Sequence, residues 1–195
     1  MNRVILLLSA LACMARSSAR SAAPSCAIPF VGCSAEGMSG PVAAPTGTAL
    51  QSNLPASVAD KLAHYAAEGM DVLAPRGWHC IEMCGSGGAF LLVTPEPHSA
   101  DALQSVRPLR SPVVELSYLN GWTSDRFDVA RVLARLFPSW RAFVRQVIRE
   151  QLELARNFPF GPYPADRLTG HGSSEVEFTA PRGRDSVRQA GVTSV

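Results

Sequence analysis

The chain has 195 residues, 47% hydrophobic and 17% charged, with 15 glycines and 15 prolines. These values fit one turn-rich globular domain and exclude wholesale disorder or an all-helical bundle. The net charge of +2 comes from the N-terminus: after Arg3, Arg16 and Arg20 the chain carries 15 basic and 16 acidic residues, so nucleic acid is not an expected partner.

The first element is a leader. Arg3 gives a positive start, Val4 to Ala12 are a short apolar run, and small residues follow. The run is too short to span a bilayer and fits a secretory signal over residues 1–23, cut after Ser21-Ala22-Ala23. The alternative is a lipoprotein signal over residues 1–12. "SALAC", Ser9 to Cys13, is similar to a bacterial lipobox, although Ala-Leu-Ala lacks leucine at its first position. Acylation of Cys13 would leave Met14 to Ser25 as a tether in the cell envelope. Either way the protein is exported, to the periplasm or beyond.

Residues 24–54 lack periodicity and predict an extended arm. Residues 55–181 predict a single α+β domain. Ser57 stands three residues before Asp60, and Val58, Leu62, Tyr65 and Ala66 recur at helical spacing, so a helix is expected from Ser57 to Gly69. Gly77 to Met83 and Ala89 to Thr94 are strand-like runs around a Gly/Ser turn, which predicts a hairpin. A short helix over Ser99 to Ser105 and a strand over Pro112 to Leu119, closed by Asn120-Gly121, come next. Val129, Val132, Leu133 and Leu136 predict a helix from Ser124 that ends before Pro138. Trp140, Phe143, Val144, Val147, Ile148, Leu152 and Ala155 predict another to about Arg156, with Trp140, Phe143 and Ile148 in the core. Ser174 to Pro181 reads as a late strand, and 182–195 as a flexible tail. The expected fold is α+β: a small, mostly antiparallel sheet packed by about three helices and stapled by disulfides.

With Cys13 in the leader, Cys26, Cys33, Cys80 and Cys84 remain. In an oxidising compartment four cysteines favour two disulfides, with three connectivities. Crossed bridges restrict the unfolded chain more than the local pairs Cys26–Cys33 and Cys80–Cys84. Cys33–Cys80 with Cys26–Cys84 is the preferred crossed pairing.

The segment "RGWHCIEMCGSGG", Arg76 to Gly88, concentrates reactive side chains. His79, Cys80 and Cys84 invite a metal reading, but adjacent strand residues face opposite ways and paired CxxC spacing is missing, so neither metal nor cofactor is expected. A disulfide-bonded Cys80 has no thiolate to act as a nucleophile. Ser86 lacks the surroundings of a serine-protease nucleophile, and "GHGSS" (Gly170 to Ser174) lacks the order of a lipase elbow. The remaining catalytic candidates are His79, Ser86 and Glu82, as parts of a small secreted hydrolase. Arg141, Arg145 and Arg149, four residues apart, form a cationic stripe that fits an anionic partner or an ordinary solvated face.

Through "FVGCSAEGMSGP" (Phe30 to Pro41) and "VLAPRGWHCIEMCGSGGAFLLVTP" (Val72 to Pro95), the chain resembles a group of uncharacterised exported bacterial proteins. "VEFTAPRG" (Val176 to Gly183) belongs to the likeness, although its usual glycine-rich continuation is replaced here. The resemblance implies a Cys33–Cys80 bridge, because an aromatic residue commonly stands at the position of Cys84 in that group. It implies no activity, substrate or catalytic residue. The expected role is non-catalytic: binding or structure in the cell envelope.

Overall fold

The computed structural model describes residues 25–38, 40–104, 109, 111–150, 155–180 and 189–194. The leader with Cys13, Leu152 in the expected second long helix, and Arg182 at the start of the expected tail lie outside them. The described residues form a mixture of helices and strands in four sheets, with a Cys33–Cys80 disulfide. The single small sheet expected from sequence is therefore divided, because strand pairing is set by packing between distant segments that periodicity does not report.

The arm contributes β1 (Cys26–Ile28), β2 (Phe30–Gly32), β3 (Ser34–Gly37) and β4 (Leu50–Ser52). β1 pairs antiparallel with β4. The helix expected from Ser57 is corrected: α1 (Ala56–Ala59) is a single turn, and β5 (Leu62–Ala66) follows it. Period two wins here over period 3.6, because Ala63 and Tyr65 alternate into the core. The buried Tyr65 hydroxyl lies 2.8 Å from the Pro75 carbonyl and 3.1 Å from that of Trp78, and it accepts the Trp78 N–H at 3.0 Å. It thereby fixes the turn leaving β6 (Asp71–Pro75), a contact no local propensity encodes.

The expected hairpin is present as β7 (His79–Cys84) and β8 (Gly88–Thr94), antiparallel with Cys84 opposite Ala89. A helical segment, α2 (Ala100–Gln104), and the third strand, β9 (Val114–Leu119), follow. The largest sheet runs β3-β7-β8-β9, and a second runs β2-β5-β6. Two pairings are parallel, β2 with β5 and β3 with β7. Residues 30–37 thus pass from one sheet to the other, and Cys33 is the crossing point. Its N–H donates to Ala66 at 2.8 Å, while its sulfur is bonded to Cys80 of β7. Cys33, Tyr65, Leu91 and Val93 form the buried cluster between the two sheets.

The helices also fall near the expected positions. α3 (Arg126–Leu136) ends before Pro138, whose ring bars helical backbone at Phe137. A 3-10 turn at Pro138–Trp140 leads into α4 (Arg141–Arg149). Ala130, Leu133 and Ala134 meet Val144 and Val147 in a second core, closed by Phe158 and Val176. Its sheet is β10 (Arg167–Gly170), β11 (Glu175–Ala180) and β12 (Gln189–Ser194), in that order and antiparallel. The flexible tail is corrected accordingly: Gln189–Ser194 is paired along β11.

The stretch 161–166, before β10, is clamped to α3. Arg135 donates from Nε to Asp166 Oδ2 (2.9 Å) and from Nη2 to Oδ1 (2.8 Å), and its guanidinium lies over the Tyr163 ring. The Gly161 N–H donates to the Ala134 carbonyl at 3.0 Å. A Cβ on Gly161 would stand 2.2 Å from the Arg135 carbonyl oxygen, so this close approach requires glycine.

Candidate functional site

The structure separates the three catalytic candidates. Along β7, His79 and Glu82 have opposite parity and occupy opposite faces. His79 is exposed, whereas Glu82 is only 1% exposed and faces the sheet interior. Ser86 is exposed in the hairpin turn, which Gly85 N–H closes onto Gly88 at 2.8 Å. His79, Ser86 and Glu82 therefore form no acid–base–nucleophile set. Among the described residues, no group of three His, Cys, Asp or Glu side chains is placed to hold a metal ion. No helix among them is long and apolar enough to cross a membrane.

What the structure does bring together is Glu82 and Cys84. The expected Cys26–Cys84 bridge is corrected: both are free thiols, Cys26 in β1 and Cys84 at the end of β7, and only Cys33–Cys80 is closed. The Cys33 and Cys80 Cα atoms are 5.3 Å apart, which suits a disulfide. Glu82 accepts the Glu68 N–H at Oε2 (3.1 Å), and its carboxylate lies near enough to Cys84 to act on the thiol. Burial, and after it the Glu82 carboxylate, push the Cys84 thiol above the ordinary thiol range. Its thiolate fraction at neutral pH is correspondingly small, the opposite of a catalytic cysteine. Iodoacetamide should alkylate Cys84 more slowly at pH 7 than an unstructured cysteine peptide. Glu82→Gln removes the charge that opposes ionisation and should speed the reaction. Equal rates in wild type and variant, read by peptide mass, would contradict this account.

The arginine stripe is only partly free. Arg141 donates from Nη2 to the Gly161 carbonyl at 2.6 Å, while Arg145 and Arg149 are exposed. Arg126, from α3, pairs with Glu150 at 2.8 Å.

An extended cavity among the described residues lies elsewhere, between β9 and α3. β9 forms one wall with Ser117, Tyr118 and Leu119. α3 forms the other with Val129, Val132 and Leu133, and Trp140 and Phe143 close the end. The groove encloses about 690 Å³, within the range of small-molecule and peptide sites. Trp140, expected in the core, is corrected: it is 42% exposed on the rim. The reason is its place in the 3-10 turn, one residue before the helix that buries Val144 and Val147.

Trp122 stands over the groove and is 96% exposed, with Tyr118 beside it at 61%. Asn120 sets this up. Its Oδ1 accepts the Trp122 N–H (2.9 Å) and its carbonyl accepts the Thr123 hydroxyl (2.9 Å), an Asx turn that holds Trp122 at the loop tip. The Asn120 N–H donates to Gly87 at 2.6 Å, tying this loop to the β7–β8 turn. The clue in the sequence was an aromatic placed directly after Asn120-Gly121, where a turn exposes whatever it carries.

A smaller cavity shares Ser117 and Leu119 with the groove but lies over β7 and β8, where Met83, Cys84 and Phe90 line it together with Glu115, Asp125 and Asp128. Asp128 is paired with Arg131. Glu115 and Asp125 have no cationic partner among the described residues. Together these features define a disulfide-bonded, mixed helix–strand protein with an aromatic-rimmed groove and a separate cavity that carries acidic residues. No protein family model, no curated protein and no solved structure matches the chain.

Proposed function

We propose that this is an exported, non-catalytic binding protein that holds an apolar ligand or partner segment in the groove between β9 and α3. The observation that carries the reading is Trp122, a large apolar side chain left 96% exposed above an apolar cleft. Soluble domains rarely display contiguous aromatic surface without a partner for it. Export is supported by the Cys33–Cys80 bond, since such bonds persist in oxidising compartments, and by the apolar leader sequence.

Trp122→Ala tests the groove. The hydrophobic dye 1-anilinonaphthalene-8-sulfonate should bind the folded full chain, and the substitution should reduce its fluorescence severalfold without changing the melting temperature. Undiminished dye fluorescence in the variant would remove the groove from consideration. Intact mass of the exported chain tests the compartment: a terminus at Pro24 means plain export, and an acyl mass on Cys13 means a lipoprotein.

A further inference from the structure

We infer that Gly87, in the turn between β7 and β8, is the residue that positions the aromatic rim of the groove. The loop carrying Trp122 straddles it, and the absence of a side chain at this one position sets where Trp122 and Val129 stand. The inference rests on the groove reading above and names what holds that site in shape.

Gly87 is buried, although Gly85 and Ser86 in the same turn are exposed. What covers it is the segment 120–125, which touches it from both ends. At the start, the Asn120 N–H donates to the Gly87 carbonyl at 2.6 Å. At the end, the Asp125 carboxylate lies against Gly87, in the space that a Cβ would take. Asp125 is the N-cap residue of α3, where an aspartate ordinarily accepts N–H groups of the first helical turn. Its side chain makes no such bond and is turned onto Gly87 instead.

Trp122 is held between these two contacts, with its N–H on the Asn120 side chain. The Val129 N–H donates to the Asp125 carbonyl at 2.9 Å, so the α3 wall of the groove starts from the same seat. A side chain at position 87 would lift Asp125, and with it both the loop tip and the first turn of α3. The turn itself does not demand glycine here. Among the described glycines, Gly40, Gly69, Gly77 and Gly172 have positive φ and Gly87 does not. Alanine therefore suits the backbone at 87, and what its methyl group meets is the Asp125 carboxylate. A binding surface already held in its bound arrangement gains affinity, because little ordering remains to be done.

The test is a double-mutant cycle on the full chain, with 1-anilinonaphthalene-8-sulfonate as the probe. Gly87→Ala should weaken dye binding severalfold when Asp125 is present, and by less than about twofold on an Asp125→Gly background. Amide exchange at Asn120 and Val129 should speed up severalfold in Gly87→Ala. Gly85→Ala is the control, expected to match wild type in both measurements, because its Cβ would come no closer than 3.8 Å to the Gly88 carbonyl oxygen. Equal losses of dye binding on the two backgrounds, or no loss on either, would overturn the inference. A Gly87→Ala chain that folds only on the Asp125→Gly background supports it, and one that folds on neither overturns it. Dye binding lost in Trp122→Ala but kept in Gly87→Ala leaves the groove standing and removes Gly87 from it. If Trp122→Ala leaves the dye bound, the groove reading falls by itself, and exchange alone judges the seat: faster rates at Asn120 and Val129 in Gly87→Ala retain it, and unchanged rates overturn it.

Discussion

Replacing Cys33 and Cys80 together by alanine is expected to destabilise the protein by about 4 kcal/mol, the loop-closure value for a bridge between residues 47 apart in sequence. For a domain of this size that corresponds to a melting temperature lower by roughly 12 °C. The bond stands where the chain leaves one sheet for the other, so its loss frees both the arm and the start of β7. Cys26→Ala and Cys84→Ala serve as controls, expected to stay within about 1 kcal/mol of wild type because neither thiol is bonded. Urea denaturation of the three variants measures this. A double mutant as stable as wild type would show that the two sheets hold each other without the bridge.

The second large effect is expected at Asp166. Its side chain is 3% exposed and takes both hydrogen bonds from Arg135, which holds the carboxyl below the usual aspartate range. Asp166→Asn leaves the Arg135 guanidinium beside an uncharged partner in a half-buried place. Breaking a fully buried pair costs about 3–5 kcal/mol, but Arg135 keeps some solvent, so about 2 kcal/mol is expected. The pH dependence has a definite sign. A carboxyl depressed in the folded state contributes stability above its unfolded value, near 3.9, and loses it as pH falls through the lower folded value. Wild type should therefore lose more stability than Asp166→Asn between about pH 5 and pH 2. Parallel pH profiles of the two proteins, measured by urea titration, would show that the pair contributes nothing.

Elements whose residues satisfy one period locally were legible in the sequence. The β7–β8 hairpin, β9, the start of α3 and its stop before Pro138, and β11 all lie close to where apolar spacing and turn residues put them. The segment from Ser57 was ambiguous because Val58, Leu62, Tyr65 and Ala66 fit a helical stripe while Ala63 and Tyr65 fit an alternating strand. The choice was made by Pro75 and Trp78, ten and thirteen residues from Tyr65, which accept and donate at its hydroxyl. β12 was illegible for the same kind of reason, since its place depends on β11. Cysteine counting correctly favoured a long bridge but carried no distances, and so joined Cys26 to Cys84. The reactive letters from Arg76 to Gly88 drew attention to chemistry that strand parity then dispersed. The groove was hidden because an aromatic residue is read as core by default, and only the turn at Asn120 puts Trp122 outside.

The crossing of the chain at Cys33 has a consequence for how the molecule is made. β2 and β3 emerge first, yet each is parallel to a strand that emerges much later, β5 and β7. β1 finds β4 within the arm, but Phe30 must wait for His64, 34 residues on, and Ser34 for Ile81, 47 residues on, and non-local pairing of this kind slows folding. During that wait the nearest thiol to Cys33 is Cys26, only seven residues away in the sequence. An oxidant acting before β7 is in place would close that short loop, and the native bond would then require exchange between sulfurs. Cys26 opens this detour, and a chain lacking it would lose that short loop while Cys84 still stands four residues from Cys80.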